Sequence, residues 1–333
     1  MKNANADNSE LMTQLSEIQN TMSDKIFLRF SNFIRTELGI NMTDAKKVML
    51  QARLQKRMRK LGITTFSEYY DYVFSPQGVE KELPNMIDVV TTNKTDFFRE
   101  AQHFDYLIQK VLPELIRKIY NPLRKEQKKK ALFLKGEENS FVKTEQGFFS
   151  PDNESEDIFK KKIMVWSAGC SSGEEAYTLA MVLSEFSEKV PMFNFSVLGT
   201  DISTKVLREA DAGIYPHERV EPVPLMLRKK YLLKSKDKSK GLVRIAPELR
   251  ALVKFRRINL MSYDFGMREM MDIIFCRNVL IYFDRKTQQG VLNRICRHLK
   301  PGGYIFMGHS ETLSGLDLPL MPVTSTVYKK TGV

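Results

Sequence analysis

The stretch from Ile163 to Leu183 constrains this chain more than any other. Ile163-Met164-Val165-Trp166 has the unbroken apolar character of a short buried strand. Ser167 to Gly173 is a run of small residues able to turn tightly. From Glu174 onward, apolar or small residues recur at Ala176, Leu179, Ala180 and Leu183 with helical spacing. Strand, small-residue turn and helix together suit a nucleotide-type ligand, because glycine lets backbone approach it and the carboxyl edge of a sheet supplies the crevice. Phosphate prefers a bare helix N-terminus, whereas this one carries Glu174 and Glu175. Two carboxylates there would repel pyrophosphate and favour a ligand with a cationic group. S-adenosylmethionine, with its ammonium and sulfonium, is such a ligand. A generic tight turn whose acids merely complement the helix dipole accounts for the same residues.

A chain of 333 residues suggests two domains. No apolar run approaches a membrane span, and the polar first twenty residues carry no secretory pattern, so neither insertion nor export is expected. Cys170, Cys276 and Cys296 are too far apart to form a metal or disulfide pattern, which implies a reducing cytoplasm and no metal. The formal net charge of +12 points to an acidic partner: nucleic acid, anionic membrane or an acidic protein surface. A merely soluble basic enzyme is the plain alternative.

Residues 1–22 read as a polar lead, and 23–90 as a small helical domain. Asp24 to Leu38 is amphipathic, with Phe27, Phe30, Phe33, Ile34 and Leu38 inward and Gly39 at its end. A second helix after Asp44 puts Leu50, Leu54, Met58 and Leu61 on one face and closes at Gly62. Beside that face Arg53, Lys56, Arg57 and Lys60 form a cationic stripe with no acid between Asp44 and Glu68 to neutralise it. It is a candidate dock for an acidic partner, or else a solvated face. Thr65 and Glu68 make a capping box for a third helix. A further helical segment runs from Val79 to Val90, disturbed by Pro84. Residues 91–120 form a linker and a helix from His103 to Tyr120. The Lys-rich, Ser- and Asn-containing stretch 121–162 reads as a surface insertion.

After the central strand and helix, Phe195 to Gly199 is a second strand ending at Asp201, where a dinucleotide-type fold puts an acid on the ribose hydroxyls; helix capping is the bland alternative. Tyr231 to Leu233 and Leu242 to Ile245 suggest a small antiparallel hairpin. Further strands fit Leu252 to Ile258, Met271 to Cys276, Tyr304 to Gly308 and Ser325 to Lys330. Pro301-Gly302-Gly303 is a turn, and Leu292 to Leu299 a helix. Strands alternating with helices imply a mostly parallel, doubly wound α/β sheet.

Six motifs follow one another in order: Thr91 to Glu100, Trp166 to Tyr177, Gly199-Thr200-Asp201, Asn259-Leu260, Phe275 to Phe283, and Gly308-His309-Ser310-Glu311. This set resembles the CheR family, the chemotaxis receptor glutamate O-methyltransferases, over roughly residues 23–330. The resemblance implies an all-α N-terminal domain before a Rossmann-like class I methyltransferase domain at 163–333, with a small antiparallel β-subdomain inserted at about 225–250. It implies methyl transfer from S-adenosylmethionine to glutamate side chains on the cytoplasmic helices of chemoreceptors, in the cytoplasm at membrane receptor arrays, with S-adenosylhomocysteine as product. By motif position the cofactor contacts fall on Asn93, Thr95, Arg99, Glu175, Asp201, Asn259, Leu260, Arg277 and Asn278. Arg99 and Tyr282 would lie near the transferred methyl, and Arg53, Lys56, Arg57 and Lys60 would dock the acidic substrate.

A glutamate of pKa near 4.3 is ionised at neutral pH, so no general base is needed and none of the four histidines is expected to act as one. His309 beside Glu311 reads as a structural hydrogen bond. Nucleic acid is not expected as substrate. Arg277-Asn278-Val279-Leu280 lacks the prolines of base-methylating loops, and the cationic stripe lacks interleaved aromatics that stack on bases. An adaptor that keeps the fold without the chemistry would be expected to lose part of the Asn93, Arg99, Asp201 and Tyr282 set.

Overall fold

The computed structural model describes residues 21–118, 162–190 and 193–332. The expectations for residues 1–20 and 119–161 lie outside the described residues. Met22, expected in the polar lead, is instead buried in the helical core.

The helical part comprises α1 (Asp24–Leu38), α2 (Lys47–Leu61), α3 (Phe66–Val73), α4 (Pro76–Lys81) and α5 (Leu83–Val90). The Ser23 side chain caps α1, and Gly39, at φ 72°, ends it in the left-handed conformation that glycine adopts without strain. The Thr65–Glu68 capping box at α3 is present as expected. The helix expected over Val79 to Val90 is two helices broken at Glu82, because Pro84 in the first turn of α5 cannot donate into a preceding turn. Leu50, Leu54 and Met58 enter the core with Phe30, Ile34 and Tyr69. Leu61, in the last turn of α2, is 37% exposed and does not join them.

Glu82 changes the reading of the cationic stripe. Its buried carboxylate accepts from Arg57 Nε at 2.8 Å and Nη2 at 2.6 Å, and from the Tyr69 hydroxyl at 2.9 Å. The neutralising acid lies outside the sequence window searched for it, and the α4–α5 break brings it to α2.

A linker leads to α6 (Gln102–Tyr106), which continues through a wide π-type turn over Leu107–Val111. The main sheet has seven strands: β1 (Lys162–Ala168), β2 (Asn194–Asp201), β6 (Val253–Arg257), β7 (Met271–Cys276), β8 (Leu299–Met307), β9 (Leu320–Pro322) and β10 (Val327–Lys330). Their spatial order is β6-β2-β1-β7-β8-β10-β9. The first five are parallel, and β10 runs antiparallel to both β8 and β9. Strand β9 was not expected.

Pro301-Gly302-Gly303 is not a turn before the strand but a bulge within it. The β7 partners of β8 advance from Met271 to Ile273 while β8 advances from Leu299 to Tyr304. Strand β7 is buried on both faces. Ile273 and Phe275 join one core layer, and Ile274 and Cys276 the other.

Helix α7 (Glu174–Lys189) follows β1, and α8 (Thr204–Ala212) follows β2. A small sheet then intervenes, built from β3 (Ile214–Pro216), β4 (Leu232–Lys234) and β5 (Leu242–Ile245) in the antiparallel order β3-β5-β4. Helices α9 (Leu225–Tyr231) and α10 (Pro247–Arg250) flank β4 and β5. The β4–β5 hairpin was expected. Strand β3, at three residues, is too short to show a period. Helix α11 (Arg285–Arg297) starts well before the expected Leu292, at an Asp284 cap whose Oδ1 accepts the Thr287 N–H at 2.8 Å.

The helical part rests against the carboxyl ends of the main sheet. Asn41 N–H donates to Tyr282 O at 2.9 Å, and Asn259 Nδ2 donates to Glu37 O at 2.7 Å. Replacing Glu82 by Ala leaves the Arg57 cation and the Tyr69 hydroxyl without their acceptor, and is expected to destabilise the protein by about 3 kcal/mol. Denaturant unfolding checks this; a loss below about 1 kcal/mol would mean the pair is solvated.

Candidate functional site

Between β1 and β7 the strand order reverses, since β1 connects outward to β2 on one side while β7 connects to β8 on the other. In open α/β sheets the ligand crevice lies at the carboxyl ends of strands at such a point. A cleft of 1250 Å³, including its open mouth, lies there. Asn93, Thr95, Arg99, Glu175, Asp201, Asn259, Leu260, Arg277, Asn278 and Tyr282 all line it. Leu38, Ile40, Met42, Lys46 and Met49 close it from the helical side. Leu38 was expected inward but not at a cleft, and the other four were not singled out in the sequence, because nothing in an amphipathic helical segment tells which distant loop it will cover.

The acids around the cleft have separate situations. Asp201, at the end of β2, is buried, with Oδ2 accepting the Ser171 N–H at 2.9 Å and Oδ1 accepting the Ser203 N–H at 3.0 Å. Burial pushes its carboxyl up from the ordinary value, against the pull of these N–H donors. Helix α8 is capped by Ser203, not by Asp201, so the capping alternative fails.

Glu175 accepts from Ser167 Oγ at 2.6 Å and from Arg277 Nε at 2.7 Å. Arg277 Nη1 also donates to Arg99 O at 2.7 Å and faces His103 Nδ1 at 3.0 Å. An arginine only donates, so His103 Nδ1 accepts and its other nitrogen carries the proton toward Thr326 Oγ1 at 2.7 Å. Burial, helped by Arg277, lowers the His103 pKa to about 4, so it is neutral at pH 7.

The expectation of two bare acids at the α7 N-terminus needs correction. Glu174 is fully buried, does not line the cleft and pairs with Arg219. Glu175 does line it, but Arg277 offsets its charge. The cleft is therefore less negative than the sequence suggested.

Among the described residues, four that are not glycine have positive φ: Phe98, Glu100, Ser171 and Asn278. All four lie in loops at or next to the cleft wall, where strain is kept by surrounding contacts. Phe98 N–H donates to Thr178 Oγ1 at 3.2 Å, and Ser171 Oγ donates to Asn93 O at 3.0 Å. Asn278 is held by Glu311. That one carboxylate accepts the N–H groups of Asn278, Val279, Leu280 and Gly308 at 2.7–2.9 Å. Its partner is thus backbone, and His309 turns instead to Gln102, with ring nitrogen to amide at 2.8 Å. The two residues are structural, but not with each other. None of the four histidines lines the cleft.

The proposed docking stripe divides. Arg57 is bound to Glu82, and Arg53 donates to Val90 O at 2.7 Å, Thr91 O at 3.2 Å and Thr92 Oγ1 at 3.1 Å. Arg53 therefore props a wall of the cleft, and neither arginine is a free cation. Lys56 and Lys60 are exposed and have no ion-pair partner among the described residues.

The family description "CheR methyltransferase, SAM binding domain" matches residues 137–329, and "CheR methyltransferase, all-alpha domain" matches residues 25–91. The chain is 35% identical to a chemotaxis protein methyltransferase of Borreliella burgdorferi, over 98% of this chain and 99% of that one. It is 34% identical to the chemotaxis protein methyltransferase of Escherichia coli, over 96% of this chain and 95% of that one. A strand-order switch point with a buried carboxylate at the end of β2, and two family matches that together reach both the helical part and the sheet, lead to one conclusion: this chain belongs to the CheR family and is an S-adenosylmethionine-dependent methyltransferase.

Proposed function

We propose that the enzyme methylates glutamate side chains on acidic cytoplasmic helices of chemoreceptors, giving γ-methyl esters, and that it works in the cytoplasm at receptor arrays. The observation that carries this reading is the composition of the cleft. The expected cofactor contacts line it together with Arg99 and Tyr282, and no histidine does.

The donor set fits the cofactor. Asp201 is held by two backbone N–H groups and keeps lone pairs for two ribose hydroxyls. Ile258 and Leu260 supply apolar walls suited to adenine. Asn259 has its side-chain amide engaged on both sides, by Glu37 O and by the Met261 N–H, so it offers adenine its backbone. Glu175 and Arg99 suit the ammonium and carboxylate of the methionine portion. Bound S-adenosylmethionine supplies an electrophilic methyl on a sulfonium.

The protein's own residues then have to orient and exclude water. A substrate carboxylate is already ionised at neutral pH, so the site must align it and need not deprotonate it. The Tyr282 hydroxyl has no hydrogen-bond partner among the described residues, which leaves it free to donate to a substrate carboxylate. Arg99 Nη1 donates to Lys94 O at 3.3 Å, a long bond that leaves most of its fork available. A strong ion pair between Arg99 and the nucleophile would blunt attack, so Arg99 acts on the cofactor or only in passing. Lys56 and Lys60 remain as the exposed cations of the stripe and would attract an acidic helix.

Asp201→Ala is expected to weaken S-adenosylhomocysteine binding by about 30-fold, since charge-assisted bonds to ribose are lost. Calorimetry showing unchanged affinity would remove Asp201 from the site. Reversing Lys56 and Lys60 to Glu together is expected to lower kcat/KM for receptor methylation about tenfold at low salt, less at high salt, with cofactor affinity intact. Normal receptor methylation in that variant would make the two lysines a solvated face.

A further inference from the structure

Glu174 is a carboxylate with no exposed surface, one residue away from a cleft it does not enter. A buried charge needs partners, and its partners come from the small sheet as well as from its own loop. Ser172 Oγ donates to Oε2 at 2.8 Å, and Arg219 Nη1 donates to Oε1 at 2.5 Å. Arg219 sits in the single turn after β3. On β3 itself, Tyr215 donates its hydroxyl to Ser172 O at 2.7 Å and packs edge-on against Phe97 with ring centroids 5.1 Å apart. A Cβ on Gly173 would meet that hydroxyl at 3.1 Å, so the module presses directly on the loop. Ser172, Glu174, Tyr215 and Arg219 all lie outside the cleft lining.

We infer that Tyr215 and Arg219 are positioning residues for methyl transfer: they hold, from the small sheet, the loop that builds the adenosyl site without touching the ligand. The inference rests on the cleft being the cofactor site. Ser172 lies between two functional neighbours. Before it, Ser171 at φ 50° gives its N–H to Asp201, and after it α7 begins and presents Glu175 to the cleft. A left-handed serine persists only where surrounding contacts over-determine it. Tyr215 fixes the carbonyl next to that serine, and Arg219 fixes the acid two residues further on. Without the Arg219 cation, Glu174 is a buried carboxylate short of a partner, and it must take up a proton, or the loop must open to water or rearrange.

Calorimetric titration of the full chain with S-adenosylhomocysteine tests this. Arg219→Gln is expected to weaken binding about tenfold and Tyr215→Phe about threefold, as lost buried hydrogen bonds to charged and neutral groups respectively. Arg219→Lys keeps a cation and should recover most of the affinity. Adding Glu174→Gln to Arg219→Gln should recover part of it, because no charge is then orphaned. In steady-state assays KM for S-adenosylmethionine should rise while KM for the protein substrate stays put. A merely structural role would lower the unfolding temperature and leave the folded fraction binding as wild type, and that result overturns the inference. Should Arg219→Gln fail to fold, Tyr215→Phe decides the matter alone. Asp201→Ala serves as the control. If it loses binding while Arg219→Gln and Tyr215→Phe do not, only the positioning role falls; if none of the three loses binding, the cleft assignment falls with it.

Discussion

The buried contact between Arg277 and Glu175 is the interaction on which the rest of the site depends. Arg277 leaves the end of β7, Glu175 sits in the first turn of α7, and their side chains meet at 2.7 Å with both nearly out of solvent. The same guanidinium bonds the Arg99 carbonyl and faces His103, so the linker that carries Asn93, Thr95 and Arg99 is tied to the sheet through it. Ser167, on β1, completes the Glu175 carboxylate. One ion pair thus joins β1, β7, α7 and the linker at the switch point. Such a pair adds little net stability, because desolvation offsets its attraction. What it does is fix geometry, since removing either partner leaves a charge buried alone.

Four of this protein's arginines turn out to be internal mortar. Arg53 satisfies the carbonyls at the end of α5, Arg57 meets Glu82, Arg219 meets Glu174, and Arg277 meets Glu175. Guanidinium suits that work because its planar fork serves several acceptors at once. The free cations of the α2 stripe are lysines, whose compact, strongly hydrated charge suits a transient surface contact. A division between fixed arginines and free lysines cannot be read from a count of charges.

The legible parts of the fold were those with a local cause. Gly39 and Gly62 end their helices as expected, Thr65 and Glu68 cap α3, and the unbroken apolar run of Met271 to Cys276 is a strand buried on both faces. The parts missed had non-local causes. Strands β3 and β9 are three residues long and exist only through their neighbours. The first turns of α11 are polar and outward, so its apolar period starts late even though the Asp284 cap was there to be seen. The Pro301-Gly302-Gly303 turn is a bulge because β7 continues to pair across it. Within the site, the residues picked from the ordered motifs line one cleft, yet their partners were opaque. Glu311 stood in a quoted motif, but that it binds four backbone N–H groups is visible only once two loops meet. Glu82 was missed as the neutraliser of Arg57 because it lies outside the stretch searched for acids.

The central claim is that the adenosyl ligand lies over the carboxyl ends of β1 and β2, with its reactive end toward Arg99 and Tyr282. A crystal structure with S-adenosylhomocysteine measures this directly. The account predicts ribose hydroxyls on the Asp201 carboxylate, adenine against Leu260 and the sulfur facing the side of Arg99 and Tyr282. A ligand lodged elsewhere, or one whose sulfur points away from both side chains, would contradict it.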